Sequence, residues 1–210
     1  MTRSLVITFV FASSCASTTL LGDARVLAPR QVQAALEPAF TFDPFEWAYS
    51  PNPASVAAAV RVGLPGRFDV GLRAFTTGGS IEARFQAHQS DRNPGSVDLL
   101  VAARGGARAS NVCELDVCRV QALASMGTYS AAGINIARWF VVVVGLQAIF
   151  ELNRNVARLS LGANLGLRFM FNDWFGLMPE YSITLPALPV PALVPRHEAG
   201  LALIVTFASP

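Results

Sequence analysis

Charged residues are scarce in this sequence. Asp, Glu, Lys and Arg make up 14% of the 210 residues, against about 25% in ordinary soluble domains. The formal net charge is only +2, which argues against nucleic acid as a partner. Long apolar runs are also missing after residue 22. The nearest approach, residues 120–137, contains Gln, Ser, Thr, Gly and Asn, whereas a transmembrane helix needs about 20 predominantly apolar residues.

Histidine and cysteine are few, with two and three copies respectively. We find no metal-ligand cluster and no glycine-rich phosphate loop, so we expect no cofactor. Cys113 and Cys118 form a close pair in the segment CELDVC. A structural zinc site would need about four ligands, and no His or further Cys lies nearby. In an exported protein such a pair predicts a disulfide.

The clearest positive signal is the stretch ARLSLGANLGLRFMF, residues 157–171. Its odd-numbered residues are all apolar, and most of its even-numbered residues are polar or small. A period of two is typical of a β-strand with one apolar face. The strand is longer than the usual 5–6 residues and long enough for a transmembrane strand, which needs about 9–11. The pattern favours an outer-membrane barrel, with a buried sandwich strand as the alternative.

The same alternation recurs along most of the chain. It predicts strands in residues 54–64, 68–74, 81–87, 97–103, 120–137, 140–150, 157–171, 175–185 and 199–207. Bacterial membrane barrels have an even number of strands, so we place a first strand in the aromatic segment 40–49. The fold predicted is an all-β, antiparallel, up-and-down transmembrane barrel of eight to ten strands, with ten favoured. Residues 23–53 would be a linker with this first strand, and residues 54–210 the barrel.

Loop lengths predict which way the barrel faces. Periplasmic turns are short and extracellular loops are longer, so we place residues 105–118 and 186–195 outside. Residues 65–66, 89–95, about 138 and 172–173 then lie in the periplasm. Aromatic residues gather at the periplasmic ends, as in an interfacial girdle; they are Phe68, Trp139, Phe140, Phe169, Phe171, Trp174, Phe175 and Phe207.

The N-terminus has the pattern of an export signal over residues 1–22. Arg3 gives the positive start, residues 5–12 the apolar core, and residues 12–15 a small-residue cleavage region. The segment Ala-Ser-Ser-Cys resembles a bacterial lipobox, which implies lipidation of Cys15. Ordinary cleavage after Ala24, or an uncleaved anchor in residues 4–22, are the alternatives.

The predicted inner face carries charges that must pair or meet water, because an unpaired buried charge is costly. These residues are Arg61, Asp69, Arg73, Glu82, Arg84, Asp98, Arg104, Arg158, Arg168 and Glu180. The interior of a barrel of eight to ten strands is narrow. We therefore predict an ion-pair network that closes the lumen. The alternative is an arginine-lined pore for anions or other small solutes.

The segment GLPGRFDVGL, residues 63–72, resembles hairpins of small bacterial outer-membrane barrel proteins. The last strand, ending near Phe207, is similar to the aromatic-ended terminal strands of that class, although Ala208, Ser209 and Pro210 follow here. The resemblance covers residues 54–207. It implies a location in the bacterial outer membrane, contact with outer-membrane lipid, and insertion by the barrel-assembly machinery. It transfers no catalytic residues.

One short motif keeps an enzymatic alternative open. His88-Gln89-Ser90 resembles the His-x-Ser pair of outer-membrane lipid A deacylases, in which a His base activates a Ser nucleophile. The alternation places His88 on the inner face, where a polar interior role competes with catalysis. His197 belongs to a solvated loop end. The function expected is a non-catalytic, structural or surface-interaction role for an unidentified surface ligand.

Overall fold

The computed structural model describes residues 23–42, 54–114, 117–152, 157–188 and 195–207. Ten strands lie within these residues. They are β1 (Val32–Phe42), β2 (Ala54–Leu64), β3 (Phe68–Phe75), β4 (Gly78–His88), β5 (Val97–Glu114), β6 (Val117–Ala137), β7 (Phe140–Leu152), β8 (Ala157–Met170), β9 (Phe175–Leu188) and β10 (Arg196–Phe207). No helix in these residues is long and apolar enough to cross a membrane.

The strands form one closed antiparallel barrel in which each strand pairs with its neighbours in sequence. Pairing of β1 with β10, from Val32 opposite Phe207 to Phe42 opposite His197, closes the cylinder. Closure gives each strand a paired neighbour on both sides within the barrel wall, which a lipid environment requires. The predicted all-β barrel with ten strands is confirmed.

Alternation between the two faces of each strand is the pattern that builds the barrel. The outward residues are apolar and exposed, as shown by Leu72 at 65%, Leu146 at 63% and Leu165 at 49%. The inward residues Gln147 and Asn164, which neighbour Leu146 and Leu165 in sequence, are buried. An apolar outer surface around a polar interior is the arrangement of a barrel that spans a membrane.

The barrel has two different ends. The short-turn end contains the turns at residues 65–67, 89–96, 138–139 and 171–174, together with the start of β1 and the end of β10. The opposite end, which we call the hairpin end, contains the connection between β5 and β6. The turns that we assigned to one side of the membrane do lie at one end of the barrel.

Aromatic side chains form a band around the short-turn end. Phe140 packs against Phe169 with ring centroids 4.9 Å apart, and Trp139 stacks on Phe140 at 5.7 Å. The rings of Phe171 and Phe175 are also 5.7 Å apart. Trp139, at 58% exposure, belongs to the outer surface. A band of this kind is typical of the membrane–water interface.

Three local features differ from the sequence-based expectation. The first strand lies at Val32–Phe42 rather than 40–49; two of its inward residues, Ala35 and Ala39, are apolar, which hides the alternation. Residues 105–114 extend β5 instead of forming a loop. The pairing of β4 with β5 shifts between Gln86 and His88, so His88 is exposed rather than inward. A β-bulge inserts one extra residue into a strand and reverses the facing of the residues after it.

Candidate functional site

The most distinctive feature of the interior is a segment that precedes the first strand. Residues 23–31, which we call the plug, fold back into the barrel lumen at the short-turn end. Asp23, Ala24, Val26 and Leu27 are all buried, with exposures of 9% or less. The segment has no regular strand pairing of its own, so its backbone groups need partners from the barrel wall.

One side of the plug is held by β3 and β4. The backbone N–H of Val26 donates to Gln86 Oε1 at 2.7 Å, and Gln86 Nε2 donates to the Ala24 carbonyl at 3.1 Å. The N–H of Leu27 donates to Asp69 Oδ2 at 3.0 Å. Gln86 and Asp69 are fully buried. These polar side chains therefore satisfy the plug backbone much as a paired strand would.

Arg84 binds both Asp69 and the plug backbone on this same side. Its Nε donates to Asp69 Oδ1 at 2.7 Å, and its Nη1 donates to the Asp23 carbonyl at 3.0 Å. The side chain of Arg84 is 1% exposed and that of Asp69 is 0% exposed. A charge pair buried to this degree is costly to break, because removing one partner leaves the other unpaired in a low dielectric.

The other side of the plug is held by ion pairs to β5 and β8. Arg168 Nη1 lies 2.7 Å from Asp23 Oδ2, and Arg25 Nη2 lies 3.2 Å from Asp98 Oδ1. Asn135 on β6 donates to Asp98 Oδ2 at 3.3 Å. The plug thus bridges the lumen from wall to wall.

Two glycines leave room for the plug. A Cβ added at Gly63 would collide with the Ala28 carbonyl oxygen, and one at Gly133 would lie 2.8 Å from Ala24 Cβ. The backbone of Gly63 also bonds the plug, since its N–H donates to the Gln31 carbonyl at 2.9 Å and its carbonyl accepts from the Arg30 N–H at 2.9 Å. At these two positions the backbone of the barrel wall lies directly against the plug.

Ion pairs occupy the lumen beyond the plug. Arg61 Nη2 lies 3.3 Å from Glu82 Oε1, and Glu82 also lies 3.7 Å from Arg84 Nε. Arg73 pairs with Glu37 at 2.5 Å. The acids Glu37, Glu82 and their arginine partners come from four adjacent strands, so they cross-link β1, β2, β3 and β4 inside the barrel.

A further group of polar contacts lies nearer the hairpin end. Arg108 Nη2 lies 2.7 Å from Glu151 Oε1, and Asn164 Nδ2 donates to Glu180 Oε1 at 2.8 Å. Arg104 Nη2 donates to Gln147 Oε1 at 3.4 Å. Polar side chains thus follow the lumen along its length.

The sequence-predicted charges fall into two groups. Those inside the barrel are Arg61, Asp69, Arg73, Glu82, Arg84, Asp98, Arg104, Arg168 and Glu180. Arg158, near the start of β8, is exposed at the hairpin end. The sequence analysis missed the interior partners Asp23, Glu37, Gln86 and Asn135. Asn135 and Gln86 continue the alternation of β6 and β4, which could have identified them.

The structure does not join His88 and Ser90 in a catalytic arrangement. His88 is exposed beyond the bulge. The Ser90 hydroxyl faces the other way, 3.0 Å from Ser96 Oγ and 3.1 Å from Asp98 Oδ1. Asp98 also accepts from the Ser90 N–H at 2.7 Å. Ser90 therefore orders the β4–β5 turn through its hydroxyl and N–H, and its carbonyl accepts from Arg25 of the plug. His197 contacts the Tyr181 hydroxyl through Nδ1.

The hairpin of β5 and β6 extends beyond the described ends of the neighbouring strands β4 and β7. The first residue of β4 pairs with Arg108, and the last residue of β7 pairs with Ala124. The N–H of Ala109 still donates to the Thr77 carbonyl at 2.8 Å. Among the residues that the structure describes, 110–114 and 117–121, which we call the ribbon, pair with each other and with no other strand. Five residues at about 3.3 Å each rise roughly 17 Å.

The two cysteines of the ribbon lie opposite each other, since the register pairs Cys113 with Cys118. Opposed residues in an antiparallel pair have Cα atoms about 4.5–5.5 Å apart, a separation that suits a disulfide. The disulfide stays a prediction. Cys15 and the export signal lie outside the described residues. Within the described part of the chain, no group of three or more His, Cys, Asp or Glu residues could hold a metal ion.

Comparison with known proteins gives similarity in fold alone. No protein-family model and no curated protein matches the chain. An outer-membrane channel from Pseudomonas putida F1 matches with 11% identity and a TM-score of 0.52, covering 89% of this chain and 98% of that one. The N-terminal β-barrel domain of Pseudomonas aeruginosa OprF has 10% identity and a TM-score of 0.45, over 86% and 100%. The translocator domain of the autotransporter NalP from Neisseria meningitidis has 9% identity and a TM-score of 0.46, over 86% and 89%.

The first of these similarities agrees with the barrel fold described above. The apolar outer surface and the aromatic band are the features by which such a barrel sits in lipid. The protein therefore has the fold of a bacterial outer-membrane β-barrel.

Proposed function

We propose that the protein is a closed, non-catalytic outer-membrane barrel with a structural and surface-interaction role, and that the ribbon is the part that makes contact. The observation that carries this proposal is the ribbon itself, which extends beyond the strands on either side. Short turns face the periplasm in this class of fold. The hairpin end then faces outward, and the ribbon projects from the cell surface.

The ribbon has features of a contact element. The sequence places two acids, Glu114 and Asp116, where β5 connects to β6. An isolated two-stranded hairpin is only marginally stable in water, so a Cys113–Cys118 disulfide would fix its shape. A fixed hairpin lowers the conformational entropy lost on binding.

Surface labelling tests this topology. We expect an epitope tag inserted between Leu115 and Asp116 to be labelled by antibody on intact cells. A matched tag between Asp91 and Arg92, in the turn at the opposite end, should be labelled only after the outer membrane is permeabilised. The reverse result would place the ribbon in the periplasm and remove the surface role.

A second experiment tests the contact role itself. We expect a barrel lacking residues 111–120 to reach the outer membrane in normal amounts but to lose adhesion or aggregation that the wild-type protein confers on cells. Equal behaviour of the two proteins would show that the ribbon is not the active part.

The two alternative functions make different demands on the molecule. An anion channel would use the arginines of the lumen, but the plug and the ion pairs occupy that path. A lipid A deacylase would need His88 and Ser90 to act together, whereas Ser90 is engaged by Asp98. Lipid A mass spectra from cells with and without the protein should be the same, and loss of an acyl chain would support the enzyme.

A further inference from the structure

A small cavity opens beside the plug at the short-turn end. Its volume is about 140 Å³, enough for a small polyatomic ion. Its charged lining consists of four arginines and two aspartates: Arg25, Arg92, Arg138, Arg168, Asp23 and Asp173. Asp98, outside this lining, pairs with Arg25. With these three acids set against the four arginines, the surroundings of the cavity still carry a net positive charge.

Two of these arginines have donors left over. The Nε atoms of Arg25 and Arg168 are buried and have no hydrogen-bond partner among the residues that the structure describes. Arg168 is 6% exposed, and its Nη1 is used by Asp23. A buried guanidinium donor without an acceptor costs free energy, because the group has given up its water. The cost would be removed by an acceptor in the cavity.

The arginines come from four separate places. Arg25 belongs to the plug, Arg92 to the β4–β5 turn, Arg138 to the β6–β7 turn, and Arg168 to β8. Arg92, whose Nη2 lies 4.0 Å from Asp23 Oδ2, and Arg138 are both exposed in turns at this end, so they line the open side of the cavity. Donors converging from several directions suit a tetrahedral oxyanion better than a planar carboxylate, and Arg is a favoured partner of phosphate.

We propose that this cavity is a binding site for a phosphate group at the periplasmic mouth of the barrel. The group could be free phosphate or the headgroup of a phospholipid in the inner leaflet, since both present the same oxygens. The proposal goes beyond the surface role; binding in the cavity does not depend on that role, whereas the periplasmic and inner-leaflet location rests on the orientation proposed above.

Calorimetric titration of the purified full-length barrel with inorganic phosphate, in zwitterionic detergent and at constant ionic strength against chloride, tests the proposal. We expect saturable binding by the wild type. The double variant Arg92→Gln, Arg138→Gln should bind about tenfold or more weakly, as expected for two lost charged donors. Arg67→Gln is the matched control, because Arg67 is an exposed arginine of a short turn that does not line the cavity.

The titration has clear opposing outcomes. Absence of saturable binding by the wild type, or equal binding by the wild type and the double variant, would overturn the proposal. Heat-modifiable migration of both variants on a detergent gel confirms that they are folded. Repeating the titration in phosphatidylcholine nanodiscs with and without phosphatidylglycerol separates the two sources. Weaker phosphate binding in the presence of phosphatidylglycerol indicates a lipid headgroup, and unchanged binding indicates a free phosphate ligand.

Discussion

At the residue scale, the facing of each side chain decides what a substitution does. Leu165 is 49% exposed on the outer face of β8, near the middle of the strand. We expect Leu165→Arg to destabilise the barrel by about 2–4 kcal/mol, because a charge at the membrane midplane is costly. Reversible unfolding in lipid vesicles measures the change.

The control for the depth of a residue in the membrane lies just after the end of the same strand. Phe171 is 62% exposed and belongs to the aromatic band, where an added charge costs about 0–1 kcal/mol. Phe171→Arg should therefore be milder than Leu165→Arg. Equal losses of stability in the two variants would show that β8 does not cross the membrane with Leu165 facing the lipid.

Asp69 is the second residue-scale test. It accepts hydrogen bonds from Arg84 and from the plug N–H of Leu27, and it is fully buried. Asp69→Ala should cost about 3–5 kcal/mol, because the buried Arg84 loses its closest acid and keeps only the more distant Glu82, 3.7 Å away. Asp173→Ala, in an exposed turn, serves as the control in the same denaturant titration. A loss at Asp69 no larger than at Asp173 would contradict the role given to this pair.

At the element scale, the predicted disulfide should shape the ribbon and not the barrel. The ring closed by Cys113 and Cys118 is small, and in the chain-entropy model small rings stabilise less than large ones. We expect the double variant Cys113→Ser, Cys118→Ser to keep heat-modifiable migration on a detergent gel. Loss of that migration would mean that the barrel depends on the bond. Mass spectrometry of unreduced peptides would show whether the bond forms.

The sequence predicts an element well where the membrane imposes the alternation. β7, β8 and β9 have lipid on one side and a polar lumen on the other, and their phases are correct. In β5, the segment Gly105-Gly106-Ala107 has only small residues, so the alternation fades where the strand continues. β1 places Ala35 and Ala39 inward, and its alternation is weak for the same reason.

The plug could not be predicted from periodicity. Its residues satisfy their backbone groups through Gln86, Asp69 and Arg84, which lie between 42 and 62 positions away in the sequence. Such contacts depend on closure of the barrel, and a local pattern carries no trace of them. The alternation predicts the interior charges of the strands, but it does not predict their partners in residues 23–31.

At the scale of the whole molecule, the plug predicts where the mature chain begins. Cleavage after Ala24 would remove Asp23, the partner of Arg168 at 2.7 Å, and leave that arginine buried without its acid. We therefore expect the mature N-terminus to precede Asp23, as lipidation at Cys15 would give. Intact mass of the protein from outer membranes measures this directly. A mature chain starting at Arg25 would contradict the plug as described.

The central claim is that the plug and the interior ion pairs close the barrel, and electrical conductance in planar bilayers tests it most directly. We expect no steady conductance steps from the inserted wild-type protein. A variant lacking residues 23–30 should conduct, because the short-turn end of its lumen is open. Gly63→Val should also increase the conductance, because the added side chain displaces Ala28 of the plug. Steady conductance by the wild type, equal to that of the plug-deleted variant, would contradict the account and favour the channel.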